Sequence, residues 1–226
     1  MFQEYWNRKG DTIMKINKNE MIITIDSEPY CNADLIGKRM SRILEIPCYG
    51  KEILDRASEI SGISHELMTR YDGRPVIAAY DLLAEDESSL RIPPAGDFVT
   101  AQVFASRNLA EEGPCILVDR HATAALEGNK NHISIYIHAD IEDRARIYAE
   151  QKNLSEKAAL RALKKLDRVS RNYYKGSNKS WGDADHYDLT VNASDAQAGD
   201  VAEIIVHLLE TLMGVQLRKQ TGKMAG

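Results

Sequence analysis

Residues 21–25 read Met21-Ile22-Ile23-Thr24-Ile25, and residues 26–33 read Asp26-Ser27-Glu28-Pro29-Tyr30-Cys31-Asn32-Ala33. Behind them Leu35, Ile36, Met40, Ile43 and Leu44 recur at a spacing that gathers them on one helix face. A short apolar run, a polar loop and an amphipathic helix in that order form the first unit of a parallel sheet wrapped by helices.

The same alternation continues outward from this unit. Residues 46–49 are a weaker run, which Pro47 limits to a strand start or an edge, and helical stretches follow at 51–60 and 64–71. Residues 72–96 carry a short helix over 76–84 and then an acidic, Pro-rich excursion over 85–96. Asp97 reads as the cap of an amphipathic helix that runs to Glu112, stops at Gly113-Pro114 and leads to a strand at 115–118. Ile133, Ile135 and Ile137 alternate as another strand, Asp140 caps a helix through Glu150, and residues 187–192 make a last strand. In the closing helix, 202–213, Ile204, Ile205, Leu208, Leu209 and Leu212 dock on the sheet. The fold class is therefore α/β, with four or five parallel strands in three layers and helices on both sides. Residues 1–20 are a polar extension, 21–214 the domain and 215–226 a polar tail.

Composition narrows the function. With 43% hydrophobic and 28% charged residues the chain can bury a core, and its net charge of -5 speaks against nucleic acid or an anionic membrane surface as partner. Cys31, Cys48 and Cys115 are spaced as neither a zinc cluster nor a disulfide framework. No apolar run has the length of a membrane span, so a cytoplasmic location is expected. His138 and Asp140 could hold a metal only with distant partners, and no metal site is assigned.

One local exception to the acidic balance stands out. Asn153 and Glu156 have the spacing of a capping box, opening a helix over 153–175 on which Arg161, Lys164, Arg168, Arg171 and Lys175 fall on one stripe. A basic stripe is a solvated helix face or an arginine-lined lid over phosphates. Arginine suits the second role through its planar fork and permanent charge. Trp181, Tyr173, Tyr174 and Tyr187 beside it read as packing.

Several separate stretches, in order, resemble the cytidylate-kinase-like family of P-loop phosphotransferases. They are Ile23-Thr24-Ile25, Ile36-Gly37-Lys38, Gly113-Pro114-Cys115 with Asp119-Arg120, Ala139-Asp140 with Arg144, and Asn153-Leu154-Ser155-Glu156-Lys157. The longest runs from Asp167-Arg168 through Arg171-Asn172-Tyr173-Tyr174 to Trp181-Gly182-Asp183 and Tyr187-Asp188-Leu189. The resemblance implies a P-loop nucleoside monophosphate kinase-like fold with a lid over 153–186. It also implies transfer of a phosphoryl group from ATP to a nucleoside monophosphate with magnesium. Carried over by position, Arg120, Arg144, Arg168 and Arg171 become anion contacts, and Arg161 joins them on the stripe.

The loop departs from the family pattern Ser-Arg-x-aromatic-Gly-Ser-Gly-Gly. Residues 26–33 align with it without gaps and hold none of the three glycines. Glycine lets the backbone take positive φ and bring N–H groups onto phosphate oxygens; Tyr30 and Ala33 resist that geometry, while Asn32 tolerates it better. Pro29 lacks an N–H, and Asp26 and Glu28 bring negative charge toward a triphosphate. The acceptor side changes as well, with Gly50 where the family has an aspartate and Asp119 where it has a glycine. Gly37-Lys38 looks like the end of a Walker motif, but its neighbours do not fit, so Lys38 reads as a helix-surface lysine. The expectation is a kinase-like pseudoenzyme that binds a nucleotide or other phosphate weakly. The alternatives are a working CMP/dCMP kinase using ATP and magnesium through an unusual loop, and a structural or regulatory interaction protein acting as a homo-oligomer or with a partner.

Overall fold

The computed structural model describes residues 16–71, 95–118, 121–177, 181–214 and 217. The helix expected at 76–84, most of the Pro-rich excursion, Asp119 and Arg120 lie outside the described residues, as do the side chains of Tyr173, Tyr174 and Lys175.

Five strands form one parallel sheet: β1 (Ile22–Ser27), β2 (Cys48–Tyr49), β3 (Cys115–Leu117), β4 (His132–His138) and β5 (Leu189–Asn192), in the order β2-β3-β1-β4-β5. β1 is central and buries Ile22 through Asp26 on both faces. It runs two residues into the expected loop because β4 continues beside it, pairing Asp26 with Tyr136 and Ser27 with Ile137.

The described helices are α1 (Ala33–Leu44), α2 (Glu52–Ser61), α3 (His65–Tyr71), α4 (Ala95–Glu111), α5 (Ala122–Ala125), α6 (Ile141–Lys152), α7 (Glu156–Ser177) and α8 (Ala198–Met213). The alternation along β1 sorts them into layers. Ile23 and Ile25, with Ile133, Ile135 and Ile137, pack against Ile36 and Met40 of α1 and Ile205 and Leu209 of α8. On the opposite face Ile22 and Leu117 meet Ile53 and Ala57 of α2, Met68 of α3 and Phe98 and Ala105 of α4. Each such fully buried isoleucine contributes roughly 1.5–3 kcal/mol of transfer free energy. Gly37 belongs to this packing: a Cβ there would stand 2.7 Å from Val118 Cγ2 and 3.1 Å from Cys48 Sγ. That contact, and not phosphate binding, accounts for the glycine in Gly37-Lys38.

Four local expectations are corrected. Asp97 lies inside the first turn of α4, which starts at Ala95, so it is not the cap. Asn153 does not open α7; it closes α6 in the left-handed conformation, φ 51°, and the side chain that caps α7 belongs to Ser155, which accepts from Ala158 N–H at 3.4 Å. Asparagine tolerates the left-handed region, which suits it to a helix end as well as to a beginning. Leu217, assigned to the polar tail, is 1% exposed in the core, with its N–H donating to Glu210. In the closing helix Ile204 faces outward at 63% exposure while Ile205 and Leu209 dock. Among the described residues no helix is long and apolar enough to cross a membrane.

Candidate functional site

The strand order reverses at β1, since the chain moves first to β2 and β3 on one side and then to β4 and β5 on the other. Open α/β sheets place their ligands at the carboxyl ends of strands at such a point. Here a cleft of about 670 Å³ opens there, lined by loop residues 27–33 together with Lys38 of α1, Lys51 and Leu54 near α2, and Gln151 and Leu166 of the α6–α7 pair. Lys38 thus borders the cleft, a placement that its helix-surface reading lacked. A second cleft of about 330 Å³ lies on the other side of Cys31 and Asn32, against Arg146 and Ile147 of α6.

The loop takes left-handed backbone at two of the positions aligned with glycine: Tyr30 at φ 66° and Asn32 at φ 58°. Tyr30 was expected to resist this, because the left-handed region costs a non-glycine residue roughly 1–2 kcal/mol. Its ring is held by Tyr148 of α6, centroids 4.4 Å apart, which offsets part of the strain. Asn32 flanks α1 and its carbonyl accepts from Ile36 N–H at 2.9 Å. Ala33 is the first residue of α1, in ordinary helix, where no glycine is needed.

The acidic residues of the loop part company. Asp26 is 1% exposed beneath the loop and accepts from the Tyr187 hydroxyl at 2.8 Å, so its charge does not line the larger cleft. Burial, then the charge of Asp26 and its hydrogen bond, push the Tyr187 phenol far above its usual range. Glu28 turns to Arg144: its carboxylate stands 3.3 Å from Arg144 Nε, and its N–H donates to Ile137 O at 3.0 Å.

Arg144, 3% exposed, lines neither cleft but ties the loop to α6 and α7 from behind. Its Nη1 and Nη2 donate to the two carboxylate oxygens of Asp167 on α7, at 2.8 and 3.0 Å. Nε donates to Ala139 O at 3.0 Å, and Nη1 also reaches Pro29 O at 3.4 Å. Burial works against the charge of this guanidinium, but the Asp167 hydrogen bond and the charges of Glu28 and Asp167 outweigh it and raise its pKa. Nearby, burial pushes the Cys31 thiol up to about 12, which leaves it a protonated packing group rather than a nucleophile.

Arg161, Lys164, Arg168 and Arg171 are exposed on the flank of α7, while Ala159, Leu163, Asp167 and Ser170 form its buried side. None of the four makes an ion pair among the described residues, and none lines either cleft. Of the arginines expected to converge on an anion, Arg144 is therefore inside on carboxylates, Arg161, Arg168 and Arg171 are outside, and Arg120 is not described. Sequence reasoning missed Asp167 as the partner of Arg144 and Tyr148 as that of Tyr30. The one available signal was the spacing of Arg144 and Tyr148, four apart on one face of α6.

Of the aromatic residues read as packing, Trp181 and Tyr187 do pack, while the side chains of Tyr173 and Tyr174 lie outside the described residues. Tyr136 meets Trp181 edge-on at 5.8 Å and Tyr187 at 5.0 Å, over Gly182. Asp140 occupies the cap position of α6 without a side-chain cap bond, and its N–H donates to Ser194.

Compared with known proteins, residues 22–195 match the model of the cytidylate kinase-like family. Among curated proteins none matches. Of solved structures, an uncharacterized protein from Eubacterium ventriosum ATCC 27560 is similar at 26% identity and a TM-score of 0.63, over 85% of this chain and 99% of that one. Shikimate kinase from Bacteroides thetaiotaomicron shares the fold at 12% identity and a TM-score of 0.51, over 84% of this chain and 98% of that one.

Proposed function

This chain belongs to the cytidylate kinase-like family, and on that premise we propose that it is a kinase-fold protein with an impaired ATP phosphate loop, a weak binder of a nucleotide or other phosphate rather than an efficient phosphotransferase. The observation that carries the reading is the engagement of the loop's own acid, Glu28, with Arg144, which is already bidentate to Asp167. A guanidinium between two carboxylates has no net positive charge left for a phosphate. Two loop positions also offer nothing to an anion, since Pro29 has no N–H and that of Glu28 is taken by Ile137 O. Each missing hydrogen bond to a charged group is worth roughly 1.5–3 kcal/mol. Two of them weaken binding by about two to four orders of magnitude. The donor set of the loop thus does not fit a magnesium–triphosphate.

A second reading, a CMP or dCMP kinase using ATP and magnesium, is favoured by the left-handed backbone that persists at Tyr30 and Asn32 without glycine. Calorimetry against nucleoside mono- and triphosphates with and without magnesium, paired with a transfer assay from ATP to CMP and dCMP, separates the readings. Weak binding without transfer is expected. Turnover abolished by Arg168→Ala would establish the active kinase, and absence of any anion binding at low salt would put the interaction protein first.

A further inference from the structure

The two carboxylates on Arg144 are not equivalent. The Asp167 side chain is 7% exposed and bidentate at 2.8 and 3.0 Å; the Glu28 side chain is 24% exposed, stands 3.3 Å from Arg144 and accepts a longer bond, 3.4 Å, from the Ala139 N–H. An anion competing for this guanidinium would displace Glu28 first, because Glu28 has less to lose and water to receive it. Asp167 joins α6 to α7, whereas Glu28 joins that pair to the loop. Tyr148, one turn from Arg144 on the same face of α6, makes a second joint through the ring of Tyr30. Tyr30 holds a left-handed backbone that a non-glycine residue leaves readily once its contact is gone.

We propose that Glu28 is a built-in anion that latches the phosphate loop onto the α6–α7 pair through Arg144, and that a small oxyanion of the phosphate class opens this latch by replacing it. The latch itself stands on geometry alone; only its opening ligand rests on the reading of the cleft as an anion site. In the latched state the Arg144 site is self-occupied. Its apparent affinity for an outside anion is then reduced by the fraction of molecules left unlatched.

The test compares the full chain with its Glu28→Gln variant, which keeps the shape and removes the charge. Amide hydrogen exchange reads the joint, and calorimetry with inorganic phosphate at low salt reads the ligand arm. Exchange over loop residues 28–32 is expected to rise several-fold in the variant, with β1, α1 and β4 unchanged. Phosphate affinity is expected to rise about tenfold, the factor for a latch closed in roughly nine-tenths of molecules. Tyr148→Ala should raise loop exchange as well, and it serves as the probe if Glu28→Gln does not fold. Unchanged loop exchange in the folded variants overturns the latch, as does weaker phosphate binding by Glu28→Gln. Raised exchange with no phosphate binding by either protein keeps the latch and removes the phosphate reading instead.

Discussion

Arg144 on α6 and Arg168 on α7 carry the same group on neighbouring helices, one residue of α7, Asp167, separating their fates. Arg144 is 3% exposed and shared between carboxylates, while Arg168 stands with Arg161, Lys164 and Arg171 on an open flank. A count of arginines near a phosphate loop therefore does not measure its positive potential. What matters is how many face a carboxylate of the chain itself. Asp167, which adjoins the basic stripe in sequence, lies on the buried side of α7 and neutralises an arginine of another helix.

The sharpest way to break this contrast is Arg144→Ala. Leaving Asp167 buried without its partner should cost about 3–5 kcal/mol in a denaturant titration. A loss below about 1 kcal/mol would mean that the inner pair behaves like a surface one.

His132, half-buried at the start of β4, tests what partial burial of a charge costs. His132 shares a 2.8 Å hydrogen bond with Thr24 Oγ1, and burial lowers its pKa, with Asp188 opposing. A histidine whose folded pKa is depressed favours the folded state when neutral. Its contribution is complete above its ordinary pKa of about 6.5 and is lost as the pH falls below that. The denaturation midpoint should therefore drop on acidification from about pH 7 to about pH 5 more steeply in the parent than in His132→Asn. Equal slopes would remove the role.

Tyr30→Gly probes the loop side of the joint. It relieves left-handed strain worth about 1–2 kcal/mol. It also forfeits a ring contact worth about 0.5–1.5 kcal/mol beyond its area. Near-cancellation is expected, and a melting temperature falling as far as in Arg144→Ala would show that Tyr148 rather than Arg144 holds the loop.

The smallest effect is expected on the outer flank, where Arg168→Ala with Arg171→Ala should change stability by less than about 0.5 kcal/mol. Together with a loss of nucleotide affinity, that result would restore the stripe to the site. Without it, the stripe is a solvated face.

The sheet and its helices are legible in the chain's residue pattern alone. Period-two isoleucines in β4 and the apolar run of β1 can be buried only between two helical layers, and the loop's composition already announced both its acids and its missing glycines. It also marked Arg144, Arg168 and Arg171 as chemically apt. Helix ends were legible only to a few residues, as Asn153 shows, because asparagine serves either end of a helix and its neighbours in space decide which. Only the tertiary structure decided that Tyr30 takes positive φ against Tyr148, that Asp26 turns under the loop to Tyr187, and that Arg144 is spent on Asp167 and Glu28. The physical reason is one of range. Burial periodicity and backbone preference act between near neighbours in the chain, whereas Arg144 and Asp167 are 23 residues apart and Tyr187 and Asp26 are 161 apart. An ion pair or hydrogen bond acts over a few ångströms, so its partners are settled when the helices dock.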